Sequence, residues 1–315
     1  MKIKILDAST LGSDMDLSVF SSLGELQIYD KTSPDEVTRN IGDADVIIIN
    51  KVKVNRDNLG ACKNLRLICV MATGYDNIDL QYCKESGIGV CNVVGYSSDS
   101  VAQITVAMVL YLFSHLGEYR EKVADGEYTR GGVANILLPV YHELRGKTWG
   151  IVGYGNIGRQ VGRVAEALGC SVIVNKRTPE SGVECVDIDN LCRMSDIITV
   201  HTPLTNQTEN LISKEKISLM KDGVVFVNMA RGAVADESAL ALAVKEGKIG
   251  GLGIDVYTKE PFDFSHPYTE ISKYPNVCLT PHMSWGAYEA RLRCRDEVIK
   301  NIQAYIKGEK RNRIV

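Results

Sequence analysis

The segment "GIVGYGNIGRQVGRVAEALGCSVIVNKRTP", residues 150–179, constrains the fold more than any other. Gly153, Gly155 and Gly158 form a GxGxxG pattern directly after the strand-like "WGIVG" and directly before the helical "NIGRQVGRVAEALG", which Asn156 and Ile157 open. The first glycine permits a tight turn. The second lets a pyrophosphate approach backbone N–H groups at the helix N-terminus, and the third lets helix and strand pack closely. On its own the pattern is weak. Between a strand and a helix, with a second strand ending at Asn175, it points to a βαβ dinucleotide-binding unit.

The rest of the chain repeats that rhythm. Short β-branched runs alternate with amphipathic stretches, as parallel βαβ units require. "KIKILDA", "ELQIYD", "DVIIIN", "LRLICVM" and "GVCNV" read as five strands in the first 95 or so residues. A second series runs from "KTWGIVG" through "SVIVN", "IITVH", "VVFVNMA" and "GGLGIDV" to "NVCLT". The class is therefore α/β, with two doubly wound parallel sheets in tandem. Between them "SSDSVAQITVAMVLYLFSHLGEYREKV" has no Pro, and no Gly before Gly117, and predicts one long bridging helix. "SWGAYEARLRCRDEVIKNIQAYIKG" predicts a last helix that packs back on the first unit.

Composition narrows the function. Lys and Arg (36) nearly balance Asp and Glu (39) and are scattered, so no nucleic-acid footprint is expected, and "KGEKRNR" reads as a solvated tail. "MKIKILDAST" carries no signal core, and the apolar run Val101 to Phe113 is short and broken by Gln103 and Thr105. Neither secretion nor a membrane span is expected. The nine cysteines form no CxxC pair and read as buried thiols of a cytoplasmic protein, with no metal site.

Cofactor choice turns on the end of the second strand. About 20 residues past the glycines, NAD units place an acid that accepts from the ribose. Here that place holds Asn175, followed by Lys176 and Arg177. An acid would repel a 2′-phosphate, whereas Asn with two cations accepts it. NADP(H) is favoured and NAD(H) stays open.

Three further strands end on chemistry. Arg231 follows "VVFVNMA", Asp255 follows "GGLGI" with Glu260 just beyond, and His282 follows "NVCLTP". Open α/β sheets bind ligands at the carboxyl ends of strands. A nicotinamide needs a proton partner for its hydride; the imidazole of a histidine such as His282 suits that role, and a carboxylate such as Glu260 stabilises an imidazolium.

With "VMATGYDNID", "GIVGYGNIG", "HTPLT", "NMARG", "DVYTKEP" and "TPH" in this order, the chain resembles the D-isomer-specific 2-hydroxyacid dehydrogenases over essentially its full length. "NVVGYSS" and Trp285 look most like the hydroxypyruvate reductase (glycerate dehydrogenase) branch. The resemblance implies that Arg231 holds the substrate carboxylate and polarises the 2-keto oxygen, and that His282 donates the proton while Glu260 keeps it protonated. It further implies that Thr73 and Gly74 offer N–H groups to the carboxylate and that Asp255 meets the carboxamide. Thr202, Pro203 and Ala230 would line the cofactor, with His201 structural. Gln103 and Ile104 replace the family's acid and His, and Met229 its usual smaller residue.

The resemblance also implies an architecture. Residues 1–96, completed by 286–315, would bind substrate, and 97–285 would bind the dinucleotide, with a closing cleft between them and a homodimer built on the cofactor domain. A small 2-keto acid is the expected partner, its side chain read by Lys51, Tyr75, Met283 and Trp285. The alternative is a dinucleotide-sensing corepressor on the same fold, disfavoured because the chain ends promptly at Val315.

Overall fold

Each of the β-branched runs forms a strand, because alternating Val, Ile and Leu suit a pleated surface buried on both faces. The computed structural model describes residues 1–315, which divide into one unit of Met1–Ser97 with Gly286–Val315 and another of Ser98–Trp285.

In the first unit, β1 (Lys2–Ile5), β2 (Glu25–Ile28), β3 (Val46–Ile49), β4 (Leu67–Val70) and β5 (Gly89–Cys91) form a parallel sheet in the order β2-β1-β3-β4-β5. Ile47, Ile49, Ile68, Val70 and Val90 fill one core cluster on this sheet. The C-terminal helix Tyr288–Ile306 belongs to this unit and buries Ala290, Cys294, Val298 and Ile302.

The second unit holds β6 (Thr148–Val152), β7 (Ser171–Asn175), β8 (Glu184–Cys185), β9 (Ile197–Val200), β10 (Val224–Asn228), β11 (Ile249–Ile254) and β12 (Val277–Leu279). They pair in parallel as β12-β11-β10-β9-β6-β7-β8. The edge strand β8 is too short to leave a sequence pattern. Trp149 is fully buried in β6, and its indole N–H donates to Thr199 in β9 at 3.1 Å, satisfying two buried polar groups at once.

The long helix expected between the units is instead two. Ser98–Phe113 stops before His115, which takes a left-handed φ of 52° and pairs with Glu118 at 2.7 Å, and Leu116–Ala124 then departs at 61°. A left-handed residue interrupts the helical hydrogen-bond ladder. Gly117 follows because a Cβ there would lie 2.4 Å from the Pro275 carbonyl oxygen. No single helix is long and apolar enough to cross a membrane.

Candidate active site

Strand register decides where the chemistry collects in the second unit. Val152 pairs with Asn175 and with Val200, Val200 with Asn228, Asn228 with Ile254, and Ile254 with Leu279. The carboxyl ends of β7, β6, β9, β10, β11 and β12 therefore form one row. Gly153, Lys176, His201, Arg231, Asp255 and His282 leave the sheet on that edge. Strand order reverses between β6 and β9, the switch point where open α/β sheets hold ligands.

The glycine turn at that point fits a dinucleotide. Gly153 has φ of +91°, and a Cβ there would meet the Thr202 amide nitrogen at 2.6 Å, so the His201–Thr202 peptide closes against a residue that must be glycine. A Cβ on Gly158 would lie 2.3 Å from the Gly153 carbonyl oxygen, where helix packs on turn. A Cβ on Gly155 would meet nothing within 4 Å. The second glycine alone opens onto space. It caps the helix Asn156–Ala167 without any side-chain cap, leaving the first amides of Asn156, Ile157 and Gly158 without a helical acceptor, as a pyrophosphate requires. Both His201 ring nitrogens are buried without a partner.

At the other end of the row, Glu260 Oε2 lies 2.6 Å from His282 Nδ1, while Glu260 Oε1 accepts the Tyr257 amide at 2.9 Å. His282 has a left-handed φ of 53°, a conformation that costs a non-glycine residue about 1–3 kcal/mol and persists only where its surroundings impose it. Those surroundings are visible. Trp285 Nε1 donates to the His282 carbonyl at 2.8 Å. Fully buried Asp255 accepts from Thr280 Oγ1 at 2.6 Å, Met283 N at 2.8 Å and Ser284 N at 3.0 Å, gripping the loop on both sides of the histidine. This gripping role of Asp255 leaves no sequence signal beyond a carboxylate at a strand end. On β10, buried Asn228 accepts the Ala230 amide and donates to the Arg231 carbonyl, both at 3.0 Å, and so shapes the turn that presents Arg231.

The family model described as D-isomer specific 2-hydroxyacid dehydrogenase, NAD binding domain, matches residues 106–284. A hydroxypyruvate reductase of Blautia hydrogenotrophica is 36% identical over 317 residues, covering 98% of each chain. The chain belongs to the D-isomer-specific 2-hydroxyacid dehydrogenase family. Among solved structures, a D-lactate dehydrogenase from Aquifex aeolicus complexed with NAD and lactic acid is similar to this dehydrogenase with a TM-score of 0.85 at 29% identity, covering 98% of this chain and 96% of that one. An acyclic imino acid reductase in complex with NADPH and D-Arg has a TM-score of 0.86 at 29% identity, covering 100% of both. A nicotinamide dinucleotide is the common cofactor of these neighbours.

At the end of β7 the dehydrogenase differs from the expectation of two cations open to a phosphate. Asn175 Nδ2 donates to the Val186 carbonyl at 3.0 Å, and the Lys176 ammonium is ion-paired with Glu180. Arg159, in the first turn of the glycine-loop helix, binds the same carboxylate, with Nη2 2.6 Å from Oε2. Arg177 is exposed. In the first unit, the Thr73–Gly74 loop after β4 is fixed by Thr73 Oγ1 donating to Val93 O at 2.8 Å and by Asn92 Nδ2 donating to Thr73 O at 2.7 Å. The Thr73 and Gly74 amides have no acceptor among the chain's backbone hydrogen bonds.

Proposed function

We propose that this dehydrogenase reduces a small 2-keto acid to its D-2-hydroxy acid with NADPH or NADH, hydroxypyruvate and glyoxylate being the first substrates to test. The observation that carries the reading is the Glu260–His282 pair on the same strand-end row as Arg231 and the glycine turn. The reduced nicotinamide, when bound, supplies the hydride.

The chain's own residues supply the rest. With Nδ1 committed to Glu260, His282 uses Nε2 to hand a proton to the 2-keto oxygen, and the carboxylate offsets the charge of the imidazolium that precedes the transfer. Arg231 binds the substrate carboxylate and polarises the carbonyl, with a planar fork suited to both oxygens. In the first unit, Thr73 and Gly74 offer backbone donors of the kind a carboxylate takes. Asp255, fully buried, acts on the site through the His282 loop that it positions. Gly153, Gly155, Asn156, Ile157 and Gly158 cradle the pyrophosphate, with Thr202, Pro203 and Ala230 beside the cofactor and Asn175, Lys176 and Arg177 at the adenosine end. A 2′-phosphate would draw on exposed Arg177 and on Lys176, which Glu180 already holds.

A homodimer built on the second unit is supported by exposed apolar side chains there, among them Val133 (58%), Leu137 (69%), Leu138 (64%) and Val140 (61%). A cytoplasmic setting is supported by nine cysteines that all remain free thiols.

The test is a panel of 2-keto acids with each reduced cofactor. Reduction of hydroxypyruvate or glyoxylate with D-product is expected; no turnover of any 2-keto acid with either cofactor overturns the reading.

A further inference from the structure

Glu180 has no part in the proposed catalysis, although it is the most heavily paired carboxylate beside the glycine-loop helix. We infer that Glu180 selects between the two dinucleotides: its carboxylate occupies the basic site that a 2′-phosphate needs, and so discriminates against NADP(H). This rests on the cofactor site proposed above.

Three elements meet at that carboxylate's ion pairs. Arg159 comes from the helix that the glycine turn opens, Lys176 is the first residue past β7, and Glu180 lies in the loop beyond. The guanidinium takes both carboxylate oxygens, Nη1 on Oε1 and Nη2 on Oε2 at 2.6 Å, and the ammonium joins on Oε2. A fork on two oxygens with an ammonium beside it is the arrangement a phosphate commonly receives. Here the protein supplies the anion itself.

The cations are built into the site. The Lys176 side chain is only 18% exposed, and the Arg159 guanidinium lies over the Tyr154 ring at 5.1 Å. Asn175 does not compete for them, since its amide holds Val186. Bonding to Arg159 and then Lys176 holds the Glu180 carboxyl down to about 2, so it is ionised wherever the enzyme works. A 2′-phosphate must therefore displace a bound carboxylate or sit against it. NAD(H), which carries hydroxyls there, faces neither cost.

The experiment titrates NADH and NADPH into the apo wild type, Glu180→Gln and Glu180→Ala, following protein fluorescence, at low and high salt. Removing the charge is expected to tighten NADPH about tenfold or more while NADH moves by less than about threefold, the gain shrinking as salt screens Arg159 and Lys176. Adding Lys176→Ala to Glu180→Gln should abolish the gain. An unchanged NADPH dissociation constant in both single variants overturns the inference. So does a change in the ratio that arises from weaker NADH, since Glu180 would then be a ribose ligand. A wild type that binds neither dinucleotide strikes the proposed cofactor site as a whole.

Discussion

Glu260 and His282 stand 22 residues apart in the chain, yet Oε2 of one meets Nδ1 of the other at 2.6 Å, because β11 and β12 are neighbours in register and deliver both to one edge. A carboxylate bound to one ring nitrogen fixes the orientation of the other. His282→Ala should therefore lower kcat by roughly 100-fold or more, the worth of a positioned acid. Glu260→Gln keeps a hydrogen bond but loses the charge, so kcat should fall by less, with KM nearly unchanged. Steady-state kinetics on the best 2-keto acid decide it, and near-normal turnover of His282→Ala removes the histidine from the chemistry.

The three glycines of the turn separate folding from binding. Gly155→Ala places a methyl where no atom lies within 4 Å, at a φ of −90° that alanine accepts, so thermal stability should hold while dinucleotide affinity drops. Gly158→Ala instead drives a methyl to 2.3 Å from the Gly153 carbonyl oxygen and should destabilise the fold by about 1–3 kcal/mol, as overpacking does. Melting curves with parallel cofactor titrations distinguish them. Unimpaired binding by Gly155→Ala would remove the pyrophosphate from this turn.

Arg231 gives the substrate a fixed orientation if it grips the carboxylate while His282 addresses the carbonyl. Oxidation should then proceed on D-2-hydroxy acids and leave L-isomers largely untouched, and Arg231→Ala should damage kcat and KM together. Equal rates on the two enantiomers contradict a shared grip by these residues.

Much of this was legible because parallel strands with both faces covered read as apolar runs, and ligand-binding residues follow such runs. "VVFVNMARG" announces both β10 and Arg231, and "NVCLTPH" both β12 and His282. What stayed hidden depends on backbone shape and loop closure. Nothing in "LFSHLG" signals that His115 turns left-handed and breaks the helix. Asp255 reads as a strand-end carboxylate, but that it grips Thr280, Met283 and Ser284 emerges only once β11 lies beside β12. The carboxylate that pairs with Lys176 and Arg159 is Glu180, in a loop with no periodic pattern to place it.

His201 carries the last prediction, on acid stability. Burial pushes its imidazole from an ordinary value of 6.5 down to about 3, and neither ring nitrogen has a partner. The unfolded chain therefore binds a proton that the folded chain refuses in the range between those two values. Since stability rises with pH wherever the unfolded state holds more protons, His201 costs nothing above about pH 6.5 and progressively destabilises the fold as pH falls toward 3. Every tenfold loss of proton affinity on folding corresponds to roughly 1.4 kcal/mol, so the full effect reaches several kcal/mol at the acid end. His201→Asn, which does not titrate, should lose less stability than wild type between neutral pH and pH 5. Denaturant unfolding of both proteins across that range measures the difference, and parallel curves would mean that His201 charges inside the folded protein.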